Sequence, residues 1–145
     1  MDTAWGLTIL VLGLLAWGGQ TLTALSRPTA IRFGLTEPPS DIDPAFDADV
    51  RGEAPWDLLT LWTLPLAGLL LVLDEPNWAF LGIAGGAIYL YFGGRGIAQR
   101  MAMGRSGIPV GSVSSVRTAT GALAIWATAG LVTIVIAAGD LSAAT

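Results

Sequence analysis

Four long stretches of the chain are almost free of charge, and the polar residues gather between them. The first, Trp5 to Leu25, holds about 21 residues, enough at about 1.5 Å per residue to cross a hydrocarbon layer of about 30 Å. The second, Pro55 to Leu73, opens with a proline, which costs little in a first turn, and carries Asp57 where a helix dipole favours an anion. Asp74-Glu75-Pro76-Asn77 then reads as a tight turn, with Pro76 discouraging helix before it and Asn77 able to cap the helix that follows. So short a connection makes the flanking runs antiparallel. The third run, Trp78 to Gly94, is followed by good helix formers despite Gly96, so this helix is expected to continue past the membrane surface. The fourth, Thr118 to Gly139, meets no charge until Asp140. The pattern predicts an all-α, integral membrane four-helix bundle of up-and-down topology. It forms a single transmembrane domain, 1–145, with spans at about 4–25, 55–73, 77–98 and 117–139.

The arginines fix the expected orientation. Arg27, Arg32 and Arg51 lie between spans one and two, and Arg95, Arg100, Arg105 and Arg117 lie between spans three and four. The positive-inside rule therefore puts loops 26–54 and 95–116 in the cytoplasm and both termini outside, in a cell (inner or plasma) membrane. Met1-Asp2-Thr3 has no basic residue and Arg27 and Arg32 follow the first run, so an uncleaved helix is expected rather than a secretory signal. Trp5, Trp56 and Trp78 sit near span ends, as interfacial residues do.

Inside a bilayer, helices associate by close packing and a few hydrogen bonds, so small residues should mark the seams. The third span offers Gly82, Gly85, Gly86 and Gly93, the first Gly6, Gly13 and Gln20 at seven-residue intervals, and the fourth Ala122, Ala129 and Thr133. Packing within one chain is the simpler reading of these faces than a specific dimer. Pro65 deprives the Leu61 carbonyl of its usual donor, so a kink or hinge is expected there, with the Thr60 and Thr63 hydroxyls nearby. An ordinary membrane-helix proline explains it more simply than a gate.

Composition narrows the chemistry. Hydrophobic residues make up 53% and charged residues 12%, and mean hydropathy is +0.66. Histidine and cysteine are absent and all seven basic residues are arginines, which removes imidazole, thiolate and Schiff-base mechanisms. No cofactor is expected. The net charge of −4 and the aromatic-free 95–116 loop argue against a nucleic-acid partner. No ionisable residue is expected deep in a span, which argues against a proton-coupled pump. Thr8, Gln20, Thr21, Thr60, Thr63, Tyr89, Tyr91, Thr128 and Thr133 suit interhelical hydrogen bonds instead.

Two loops carry what remains. In the first, Asp43-Pro44 is a helix start, Phe46 and Val50 share one face, and Asp47 and Arg51 form an i,i+4 pair. This predicts a short amphipathic interfacial helix before the second span. Its carboxylates make Asp41, Asp43, Asp47 and Asp49 weak candidates for a hard cation such as Ca²⁺ or Mg²⁺, without the spacing or glycine of an EF-hand. A solvated face with local ion pairs is the simpler reading, and docking on a basic partner is another. In the second loop, Arg95, Arg100, Arg105 and Arg117 are expected to meet anionic lipid headgroups, and Gly104, Gly107, Gly111 and Pro109 mark irregular backbone.

These features point to a non-catalytic membrane protein working through helix packing and loop contacts, as an accessory or structural subunit or a small homo-oligomer. Its partners would be the lipid bilayer and either a second copy or another membrane protein. An oligomeric channel or a small-solute or ion carrier, with threonines and Pro65 along its path, is the alternative. A lipid-acting interfacial enzyme using Asp57, Glu53 or Asp49 as acid or base is a second.

Overall fold

The computed structural model of the protein describes residues 2–143; Met1, Ala144 and Thr145, the ends of the expected 1–145 domain, lie outside the described residues. It is all-helical, 84% helix with no strands among the described residues. The elements are α1 (Asp2–Leu25), α2 (Arg27–Arg32), a 3-10 turn (Pro39–Asp41), α3 (Pro44–Thr60), α4 (Thr63–Val72), α5 (Trp78–Arg105) and α6 (Val113–Ala143). Three segments are long and apolar enough to cross a membrane: Thr3–Leu25, Pro44–Val72 and Val113–Ala143. The expected third span, 77–98, falls within α5 apart from Asn77, and the 28 residues of α5 give it the length, but its glycines, tyrosines and arginines dilute its hydropathy.

The second span departs from expectation. Pro55 does not begin a helix: it sits inside α3, which starts at Pro44 and is capped by the Asp43 side chain accepting from the Ala45 N–H at 2.8 Å. The short interfacial helix and the first part of the span are therefore one element. A proline inside a helix strips the carbonyl four residues back of its donor. Here that carbonyl belongs to Arg51, an exposed residue with solvent or headgroups to turn to. The real interruption comes at Leu61 and Trp62, which places Pro65 in the first turn of α4, where its missing N–H is tolerated.

The connections are shorter than expected. Much of 26–54 is helical, as α2 and the start of α3, and α5 runs to Arg105, so that the irregular part of 95–116 is only 106–112. Gly107 and Gly111 adopt positive φ there (72° and 120°), as glycine permits, whereas Gly104 is helical. In the tight turn after α4, Asp74 takes φ 58°, and Asn77 precedes α5 without capping it through its side chain.

The ends of the helices sort into two groups. Ile42, Phe46 and Val110 form a buried cluster in which the two long connections meet, tied by the Asp43 N–H donating to the Pro109 carbonyl at 2.9 Å. At the other end, Leu71, Trp78, Ala79 and Ala137 form a second cluster with Trp5 and Leu141 against it. The 74–77 turn thus lies at the same end as the start of α1 and the end of α6. Trp78 is buried there, its indole N–H donating to Asp140 at 3.2 Å, rather than standing as a belt residue.

Between those ends the backbones touch. The buried residues of α5 (Trp78, Ala79, Gly82, Gly85, Gly86, Tyr89, Phe92, Gly93 and Gly96) recur every three or four positions and make one face. A Cβ on Gly85 would lie 2.8 Å from the Leu64 nitrogen of α4, and one on Gly86 2.7 Å from the Gly130 carbonyl oxygen of α6. Gly93 abuts the Leu123 carbonyl, and Gly82 fits between the Trp78 ring and Ala137. On α1, a Cβ on Gly13 would lie 2.6 Å from Pro65 Cδ, and Gly6 crosses Gly68 in the same way. All five glycines singled out for packing (Gly82, Gly85, Gly86, Gly93 and Gly13) meet residues of the same chain.

Gly86→Val is expected to lower stability by about 2 kcal/mol, the scale of overpacking a tight contact. Gly94→Ala, whose new methyl group meets nothing within 4 Å, should be neutral or stabilising through helix propensity. Thermal unfolding of both variants in one detergent checks the pair; equal losses would remove close backbone packing as the organising contact.

Candidate functional site

A helix interrupted within an apolar segment must find partners for its own carbonyls, since each one buried without a partner costs several kcal/mol. Around the α3–α4 break the carbonyls find them one after another. Asp57 accepts from the Leu61 N–H at 2.9 Å and Trp62 from the Leu66 N–H at 3.2 Å. Between these, Leu58 accepts from the Trp17 indole of α1 at 2.9 Å, Leu59 from the Trp62 indole at 2.8 Å, and Thr60 from the Thr63 hydroxyl at 2.8 Å. The Leu61 carbonyl, freed by Pro65, accepts from the Tyr89 hydroxyl of α5 at 3.0 Å.

That phenol has a second partner, the Gly13 carbonyl of α1 at 2.9 Å. A phenol carries one proton, so the two carbonyls share it. Tyr89 is 0% exposed and lies in the main buried cluster with Ile9, Leu61 and Leu64. Its ring meets Phe92 edge-on with centroids 6.3 Å apart, Phe92 meets Trp126 at 6.0 Å, and the Trp126 indole returns to α1 by donating to the Leu12 carbonyl at 3.0 Å. Three long helices and the break are thereby tied through aromatic side chains.

Beside the break lies a charged network. Arg95 of α5 donates to Asp49, at 2.9 and 3.0 Å, and to Glu53, both on α3, and Gln99 also donates to Asp49. Asp57, one turn beyond Glu53, is 5% exposed and its Oδ2 has no hydrogen-bond partner. With Trp56, Thr60, Tyr91 and Arg95 it lines an open lateral groove between α3 and α5. The sequence places Asp57 in the first turn of a helix; the earlier start of α3 removes that role and leaves a buried carboxylate instead.

The four weak cation candidates go separate ways. Asp43 caps α3, and Asp41 accepts from Ser40. Asp47 pairs with Arg27 and Arg51, and Asp49 with Arg95. Among the described residues no group of three or more suitable side chains is placed to hold a metal ion. The four arginines expected at headgroups also divide. Arg105 and Arg117 are exposed without an ion pair, while Arg95 is spent on Asp49 and Glu53.

Arg100 takes a third course. Its guanidinium stacks 5.4 Å from the Phe46 ring centroid and donates to the Gly96 carbonyl at 3.0 Å, with no carboxylate among the described residues within ion-pair distance. Burial pulls its pKa below the ordinary arginine range, against the pull of the Glu53 charge. Arginine stays charged regardless, so this is a cation held at a cost. It lines a cavity of about 500 Å³ walled by α1, α3, α5 and α6, with Leu15, Phe92, Leu123 and Trp126 as apolar lining.

Comparison with known protein families, curated proteins and solved structures finds no match. The reading therefore rests on these side chains. Of them, sequence reasoning names Tyr89 only as one of several polar groups and misses the Trp17 and Trp126 donors. The signal was present in part: a mid-span proline creates an orphan carbonyl four residues back, and a tyrosine on a glycine-lined face is a donor that can reach one.

Two predictions follow from the break and the network. Tyr89→Phe is expected to cost about 1–2 kcal/mol, the scale of a lost buried hydrogen bond. In a Pro65→Ala background, where residue 65 regains the N–H that Leu61 lacks, the same change should cost less. A double-mutant cycle of detergent unfolding measures the coupling, and a coupling of zero would dissociate Tyr89 from the proline. Asp57→Asn is expected to raise the unfolding midpoint, because a buried carboxylate oxygen without a partner costs more than a neutral amide. A lowered midpoint at pH 7 would assign the charge to support of Arg95.

Proposed function

We propose that the protein is a small multi-pass membrane protein that crosses the bilayer four times, through α1, the α3–α4 pair, α5 and α6, and works by binding rather than by chemistry. The observation that carries this reading is where the apolar side chains point. Leu7, Val11 and Leu14 of α1, Leu59 and Leu69 of the broken pair, Phe80 of α5, and Ile125, Leu131 and Val135 of α6 all face outward, while the carbonyls of the break are served from inside. An apolar exterior around an internally satisfied backbone is the arrangement that hydrocarbon demands.

The orientation follows from charge. With 26–54 and 95–116 on the cytoplasmic side, Arg105 and Arg117 meet anionic headgroups, and the 74–77 turn faces outside with both termini. The outward faces then serve lipid, a second copy or another membrane protein, as an accessory or structural subunit does. The tight glycine contacts favour this over a channel through one copy, since they fill the space between helices where a path would run.

The chain has no cysteine, so single-cysteine accessibility can be read without background. Ser40→Cys and Ser106→Cys are expected to resist a membrane-impermeant maleimide in intact cells and to label after permeabilisation, while Glu75→Cys and Ser142→Cys label from outside. Labelling of residues 40 and 106 on opposite sides, or extraction of the protein without detergent, would sink the four-crossing reading.

A further inference from the structure

The cavity beneath Arg100 joins two features that rarely coincide without a ligand. Its walls are apolar for most of their extent, where Leu15 and Ala16 of α1 face Phe92 of α5 and Leu123 and Trp126 of α6. At one part of the lining stands a guanidinium whose protein partners are a carbonyl and an aromatic ring, which leaves most of its N–H donors available. The volume of about 500 Å³ falls among cavities that hold one small organic molecule.

Two carboxylates also line this cavity, Glu53 and Glu37. Glu53 accepts from Arg95 on the neighbouring groove. Glu37 packs beside Gly111, where a Cβ would lie 3.0 Å from its Cγ, at the start of α6, whose helix dipole favours a carboxylate. Neither forms an ion pair with Arg100. An anion placed at Arg100 would therefore meet a cation that forms no ion pair among the described residues, with Glu53 acting on it only through its charge. Guanidinium matches phosphate oxygens by paired N–H donors, and the helices flanking the cavity are the ones proposed to stand in lipid.

We propose that this cavity is a binding site for one phospholipid, with an acyl chain lying along Leu15, Phe92, Leu123 and Trp126 and the phosphate held by Arg100. The site rests on the membrane reading above and deepens it: the bilayer is the source of the ligand as well as the solvent. The Phe46 ring under the guanidinium keeps the cation in place when the site is empty, and α3 thereby couples occupancy to the cluster where the two long connections meet.

The test uses the full chain in nanodiscs containing phosphatidylglycerol and a galactosyl diacylglycerol of the same acyl chains, followed by native mass spectrometry. The wild type is expected to retain one phosphatidylglycerol per chain, preferred over the galactolipid by about tenfold, the smallest factor a charge-assisted hydrogen bond to the phosphate would confer. Arg100→Gln should abolish the preference, and Ala122→Trp, which fills the apolar lining and leaves the arginine, should abolish retention of either lipid. Arg32→Gln, at an exposed arginine of α2 outside the lining, should change nothing. Helix content by circular dichroism separates a lost site from a lost fold.

Retention unchanged in both Arg100→Gln and Ala122→Trp would overturn the site. Displacement of the lipid by millimolar inorganic phosphate would overturn it as well, since the ligand would then be a free anion without a tail. The cysteine labelling is independent of lipid retention. Loss of preference with the four-crossing pattern intact rejects this site alone, whereas a failed pattern rejects the membrane reading beneath it.

Discussion

A proline within an apolar, interrupted helix leaves a carbonyl in need of a donor, and much of this structure is arranged around that constraint. Pro65 frees the Leu61 carbonyl, and the donor that reaches it comes from another helix, the Tyr89 hydroxyl. For that oxygen to arrive, α5 must lie close to α4, which Gly85 permits by letting the Leu64 backbone into contact. For the same hydroxyl to reach Gly13, α1 must also lie close, and Gly13 has no Cβ to strike the Pro65 ring. Proline, tyrosine and two glycines form one unit.

The break also explains why so few polar groups suffice. A membrane helix pair gains little from burying leucine, because lipid is as apolar as the core. On the proposed membrane reading, cohesion has to come from contacts lipid cannot supply, and the structure offers indole and phenol donors to main-chain carbonyls together with glycine-mediated backbone approach. Thr133 illustrates the contrast. It is fully buried, yet its hydroxyl bonds its own helix, at the Ala129 carbonyl 2.7 Å away, and ties nothing across the interface. The tryptophans Trp17 and Trp126 do the crossing work that threonines at seam positions would be expected to do.

Long-range periodicity was easy to read from the residues, and register was not. Four apolar runs, the 74–77 turn and the Asp43-Pro44 helix start are written in local composition, because each depends on a few adjacent residues. The fusion of Pro44–Thr60 into one helix is not, because Pro55 looks like a helix start whenever its neighbours are judged alone. What overrides it is an exposed Arg51 carbonyl that tolerates the loss and a downstream interruption that relieves Pro65. The same limit hides Asp57. Its burial depends on where α3 begins and on how α5 passes it, and neither is encoded near residue 57. Arg95 and Arg100 show the reverse case: identical residues, five positions apart on one helix, meet opposite surroundings because α3 supplies Asp49 and Glu53 to one and the Phe46 ring to the other.

That divergence bears on what the two polar regions are for. Arg95 closes a network that ties α5 to α3, and its neighbours Asp49 and Glu53 are consumed by it, so the groove around Asp57 gains a scaffold and little free charge apart from Asp57 itself. Arg100 is left over. A chain under pressure only for stability has little use for a desolvated guanidinium beside an apolar hollow, since an uncharged side chain there would avoid the desolvation cost without loss of an ion pair. The arrangement makes sense if a counter-ion arrives from outside, and the bilayer proposed to surround this apolar exterior is rich in molecules that bring an anion and an acyl chain together.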